Sequence, residues 1–172
     1  MEYSGIGSTG RLGVQISEEI MESILQHMRK SYPAEGCGIL FGKPLDGGNS
    51  WSINKFLPCR NLSPSPGKEF LLDPKVWIPG SLSPDLTGIV HSHPVSGPEP
   101  SLKDLKQLQQ FGAMIKLYLI VSTSPTVSRN AAFSGHKNPP HFSFYGVESG
   151  ESGEYTLLKL SIQSQADVFK SD

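Results

Sequence analysis

The stretch LTGIVHSHPVSGPEPSLKD, residues 86–104, decides how the rest of the chain is read. Its first half is apolar and ends in His91-Ser92-His93, which predicts a strand that delivers two imidazoles to one side, because side chains at i and i+2 of a strand point the same way. After seven further residues Ser101 begins S-x-x-D, and a helix predicted from Ser101 to Phe111 carries Asp104 in its first turn, with Leu102, Leu105 and Leu108 expected on its inner side. Two imidazoles and one carboxylate with a position left open form the ligand set of a hydrolytic zinc centre. His91, His93 and Asp104 are therefore the expected ligands, and Zn2+ the expected cofactor. Ser101 has two readings at this stage: a hydroxyl beside the zinc-bound water, or the N-cap of a capping box that satisfies a backbone N–H.

Elements predicted on either side of this stretch give an α+β chain. LGVQIS alternates like a short strand, and Ser17 caps a helix whose Ile20, Ile24, Leu25 and Met28 recur at helical spacing until Ser31-Tyr32-Pro33 ends it. CGILFG, SWSINKFLP and KEFLLD read as strands before the histidine strand, with a short helical turn near residues 74–78. KLYLIVST reads as a strand buried on both faces, and RNAAFSG, HFSFYGV and YTLLKLS as further strands. The expectation is one domain over residues 12–160, a mixed sheet with two main helices, between a flexible 1–11 and a polar tail at 161–172.

Composition narrows the function classes. With 15 Lys plus Arg against 16 Asp plus Glu there is no basic field for nucleic acid and no polybasic membrane anchor. Gly and Pro are abundant, at 18 and 14, which points to shaped loops. Cys37 and Cys59 are too few for a disulfide framework and are not spaced as a CxxC pair. With no membrane-length apolar run and no signal-peptide pattern, a cytoplasmic location is expected. Cys37 reads as a core residue, or as a wall of the site if its segment is extended, and Cys59 as structural. Trp51 and Trp77 read as packing residues, His27, His136 and His141 as surface or loop residues, and Glu99 as a solvated loop acid.

The line from His91 to Asp104, preceded by Glu35 in AEGCGILFG, resembles the JAMM (MPN-plus) metalloprotease family: a distant Glu, then H-x-H, seven residues, and S-x-x-D. Pro94, Pro100 and the Asn61…Phe70…Asp73-Pro74 stretch are similar to the family's bacterial stand-alone branch, which includes sulfur-carrier peptidases. On sequence alone Glu35 is only an acid before a strand, and the resemblance makes it the general base. It likewise favours Ser101 as the group that holds the attacking water and the oxyanion. The layout implied by the resemblance is a curved mixed sheet with a helix on each side, similar to that of cytidine deaminases, but the deaminase zinc signature H-x-E with P-C-x-x-C is missing.

The function expected from the resemblance is a zinc metallopeptidase that cuts an amide or isopeptide bond at the Gly-Gly tail of a ubiquitin-like or sulfur-carrier protein. Residues 58–73 are a candidate wall for that tail. A broader small-molecule amidase and a non-catalytic MPN scaffold are the alternatives, and loss of ligands, which marks the scaffold branch, is not seen here. The sequence leaves the leaving group and the oligomeric state open.

Overall fold

The computed structural model describes residues 13–48, 50–125 and 142–160. In chain order the elements are β1 (Gly13–Ile16), α1 (Glu18–Ser31), β2 (Cys37–Leu45), β3 (Ser50–Cys59), α2 (Pro74–Ser81), β4 (Leu86–His93), α3 (Leu102–Phe111), β5 (Leu117–Ser122), β6 (Phe142–Ser149) and β7 (Tyr155–Lys159). The strands join in one mixed sheet ordered β1-β3-β2-β4-β5-β6-β7. β1 with β3 and β4 with β5 run parallel, and the other neighbours antiparallel.

Strand alternation distributes the core over both faces of the sheet. Leu40, Val90, Leu119 and Phe144 point to the face covered by α1, whose Met21, Ile24 and Met28 are buried against them. Each such side chain contributes about 1.5–3 kcal/mol of burial. The start of α1 is fixed by Ser17, whose Oγ accepts from Ile20 N–H at 3.2 Å. Ile89, Tyr118 and Ile120 point the other way, onto Leu108 and Phe111 of α3, with Trp77 of α2 packed alongside. His91 alternates onto this second face. β5 is thus buried on both sides, as its unbroken apolar run predicts.

The crossover β4–α3–β5 is a parallel βαβ unit, so α3 must return over the sheet from the C-terminal end of β4. That return places Asp104 above His91. Antiparallel pairing of β2 with β4 then sets Cys37 opposite His91, which carries the residues just before β2 to the same end of the sheet. Gly36 is needed for this approach: a Cβ there would stand 2.8 Å from Met28 Sδ and 2.8 Å from Ser31 Oγ of α1.

Several predicted elements are corrected. KEFLLD is not a strand: Phe70 and Leu72 are buried and Leu71 is exposed, so the alternation is real, but only an isolated bridge, Asn61 with Leu72, pairs it. The turn near residue 74 is a full helix, α2, capped by Asp73, whose carboxylate accepts from Lys75 N–H at 2.9 Å. Leu102 is 80% exposed instead of lying inward. The inner face of α3 is Asp104, Leu108 and Phe111, and a residue two positions before Asp104 is turned about 200° away from it. RNAAFSG, His136 and His141 fall outside the described residues. Among the described residues no helix is long and apolar enough to cross a membrane.

Candidate metal centre

His91 and His93 leave the end of β4 on the same face and are both buried. Their Nε2 atoms are 3.0 Å apart. Asp104 meets them from the first turn of α3, with Oδ1 3.2 Å from His91 Nε2 and Oδ2 3.2 Å from His93 Nε2. One donor atom from each residue lies within 4.8 Å of the other two. His93 Nδ1–H donates to Gly97 O at 2.9 Å, which assigns the proton to Nδ1 and leaves the Nε2 lone pair facing the cluster. Three electron-pair donors pointed at one another, with too few protons to satisfy them, is what a site shaped for a cation looks like. The donor set, nitrogen and carboxylate oxygen, fits zinc.

Electrostatics agree with that fit. Burial alone would raise the Asp104 carboxyl, yet its contacts with the His91 and His93 rings and the hydrogen bond from the Ser101 amide hold it well below the usual carboxylate range, so it is ionised. Burial pushes His91 below its ordinary value, which keeps it neutral and able to ligate. His93 is also desolvated, but its bonds to Asp104 and Gly97 leave it raised. A proton therefore competes with a cation chiefly at His93.

Ser101 is the N-cap of α3, and the capping box is complete. Asp104 N–H donates to Ser101 Oγ at 3.1 Å, and Ser101 N–H donates to Asp104 Oδ2 at 2.6 Å. The cap thus also orients the carboxylate. The hydroxyl accepts in this bond, so its own proton remains available for another partner.

Glu35 lies just before β2, 6% exposed, beside the His93 end of β4. Gly36 N–H donates to Ser92 Oγ at 2.8 Å and Ser92 N–H to Gly36 O at 2.9 Å, which fastens the segment to the strand between the two histidines. Glu35 Oε2 is buried without a hydrogen-bond partner. Burial raises its pKa to about 7, with His93 lowering it and Asp104 and Glu69 raising it. A carboxyl poised there can exchange a proton near neutral pH.

The surrounding residues were only partly legible in sequence. Phe70 stacks on the His91 ring at 4.6 Å between centroids, and Tyr118 meets its edge at 5.4 Å. In the sequence Phe70 stands out only as part of the stretch that resembles the bacterial branch, and its distance from His91 in the chain gives no sign of this contact. Cys37 and Cys59 face each other across β2 and β3 and are buried free thiols, Cys37 packed in the core. His27 is half-buried on α1, its Nε2 3.1 Å from Cys37 O, and is not a loop residue. Trp51 and Trp77 pack against the two cores. A cleft of about 550 Å³ opens beside Glu35, lined by His27, Ser31, Cys59, Arg60 and Asn61 among others.

A mixed sheet that brings two strand-end imidazoles and a helix-borne carboxylate together in this way defines a zinc-site protein. A profile of prokaryotic homologs of the JAB domain matches residues 17–134, and the chain belongs to that JAMM/MPN family. It is 30% identical over 118 residues to a desampylase of Haloferax volcanii, covering 63% of this chain and 80% of that protein. It is also 31% identical over 90 residues to tail tip assembly protein K of Escherichia phage N15, covering 52% of this chain and only 34% of the phage protein. A solution structure of a protein from Desulfitobacterium hafniense has the same fold, with TM-score 0.57 and 22% identity over 88% of this chain and 94% of that one.

Proposed function

We propose that the protein is a zinc-dependent metallopeptidase that hydrolyses an amide or isopeptide bond at the C-terminal Gly-Gly tail of a ubiquitin-like or sulfur-carrier protein. The observation that carries this reading is the convergence of His91, His93 and Asp104 beside the buried, unpartnered carboxylate of Glu35. His91, His93 and Asp104 hold the metal. Zinc, when bound, lowers the pKa of water toward about 7 and polarises the scissile carbonyl.

Glu35 is the general base: it takes the proton of the attacking water and returns it to the leaving amine. Its desolvated carboxylate is a stronger base than a solvated glutamate, which suits it to accept the proton of the attacking water. Ser101 keeps its cap bond through an oxygen lone pair and donates its hydroxyl proton to the oxyanion. No covalent intermediate on the protein is required. Residues 58–73 form the wall against which the extended tail lies, and Cys59, Arg60 and Asn61 of that wall line the cleft beside Glu35. The likeness to a desampylase over 80% of that protein's length supports a conjugate of a small modifier protein as the substrate class.

The test is intact-mass spectrometry on carrier proteins extended beyond their terminal glycines. A single cut just after Gly-Gly is expected. Scattered cuts, or turnover only of small acyl amino acids, would move the assignment to a broader amidase, and no turnover by zinc-loaded protein across a wide panel would favour a scaffold.

A further inference from the structure

Glu35 sits outside any regular element, so something other than a strand ladder or a helix must hold its main chain. Gly36 beside it is tied to Ser92 of β4, and the groups that hold Glu35 itself converge on Asn61. Its Nδ2 has two protons and donates to Glu35 O at 2.9 Å and to Glu69 O at 3.0 Å, with Pro66 O a more distant acceptor at 3.3 Å that shares one of them. Its Oδ1 accepts from Ser63 N–H at 2.9 Å and from Leu71 N–H at 3.0 Å. Glu35 N–H in turn donates to Pro66 O at 2.6 Å. One half-buried amide therefore closes the 61–72 loop upon itself and ties that loop to both sides of the Glu35 peptide.

The same loop is also anchored to the metal-binding half of the site. Gln107 of α3 donates to Phe70 O at 2.8 Å, Lys103 of α3 pairs with Glu69 at 3.3 Å, and Phe70 stacks on His91. The exposed ion pair contributes little by itself. The buried stack and the Gln107 hydrogen bond fix the loop against α3 and β4, so Asn61 ties the Glu35 peptide to the ligands by a second route beside the Gly36–Ser92 hydrogen bonds.

We infer that Asn61 is the positioning residue of the proposed general base, holding the Glu35 backbone in register with His91, His93 and Asp104 through the 61–72 loop. This rests on the assignment of Glu35 as base. Asn61 does not touch the reacting atoms. Its effect is on where the carboxylate stands, and a displacement of about 1 Å is enough to cost about 10²-fold in rate.

The experiment combines a double-mutant cycle with amide hydrogen exchange on the full chain. The turnover probe is a ubiquitin-like carrier extended by a peptide beyond its terminal glycines. Asn61→Ala should lower kcat by about 10²-fold with zinc content near wild type, whatever it does to KM through the 58–73 wall. In a Glu35→Gln background the same change should cost nothing further, because the group it positions has gone. Exchange at the Glu35 amide should accelerate at least about tenfold in Asn61→Ala, whatever the turnover. Should the Ala variant not fold, Asn61→Asp serves, since it keeps the acceptor for Ser63 and Leu71 and loses the donor to Glu35 O.

A wild-type kcat in the folded variant overturns the inference. So does a rate loss that repeats in full in the Gln background, or an unchanged Glu35 exchange rate. If Glu35→Gln alone leaves kcat intact, the general-base reading fails instead, and the exchange result still reports whether Asn61 holds that peptide.

Discussion

The two halves of the site are built by different means. His91, His93 and Asp104 come from 14 consecutive residues, and one βαβ crossover suffices to bring them together. Glu35 reaches the same point only because β2 pairs antiparallel with β4 and because the 61–72 loop is folded against both. A strand end and a capped helix can form a metal site locally. Placing a base beside it requires contacts between residues 56 apart, such as Gly36 with Ser92. The metal half should therefore fail as a unit, and the base half by degrees.

The largest effect is expected at the ligands. His91→Ala, His93→Ala or Asp104→Ala should each reduce zinc below stoichiometric content and abolish turnover, as elemental analysis and a rate assay on one sample would show. Asp104→Ala should also lower stability, since it removes one arm of the capping box. A ligand variant that keeps full zinc would break the comparison at its firmest point.

Ser101→Ala comes next. Loss of the cap should lower stability by about 0.5–2 kcal/mol, while loss of the hydroxyl proton at the oxyanion should lower kcat by about 10²–10³-fold. Thermal denaturation, zinc titration and kcat separate these. Near-normal kcat with full zinc would confine Ser101 to the cap.

Zinc affinity should fall as pH falls. His93 is raised above its ordinary value, so below its pKa the metal must displace a proton from it, and affinity should weaken by about tenfold for each pH unit there. His91, kept neutral by burial, adds little to this slope. Titration with a metal indicator from pH 5.5 to 8 would read it, and a flat profile would contradict the raised pKa of His93.

The smallest effect concerns the stability of chelated protein. Glu35 is raised from 4.5 to about 7 by burial, so between those values the folded state holds a proton that the unfolded state has released. Its contribution to stability is greatest below about pH 4.5 and is lost as pH rises through 7. Glu35→Gln carries no such loss. Its Tm relative to wild type should therefore improve from pH 5 to pH 8, on the order of a few degrees. An unchanged difference would mean that Glu35 is better solvated than its burial indicates.

The same contrast explains what the sequence made legible. H-x-H on a strand and S-x-x-D at a helix start are local patterns, and strand and helix geometry alone point their side chains, so the convergence of those residues could be anticipated. Glu35 had no such local signature, and only family resemblance singled it out. KEFLLD reads as a strand, and Phe70, Leu71 and Leu72 do alternate in burial as a strand would, but the hydrogen bonds of that segment go to Asn61 and α3 instead of to a neighbouring strand. Leu102 was misplaced for a related reason: the polar ligand Asp104, not a leucine, sets the inward face of α3 at its first turn.

The most direct test of the division between a metal-holding half and a proton-handling half is zinc content and kcat measured on one preparation of Glu35→Gln. The account predicts stoichiometric zinc and an intact fold with kcat lowered by about 10²–10⁴-fold. Zinc lost in proportion to activity would make Glu35 a ligand or a structural acid and would contradict it.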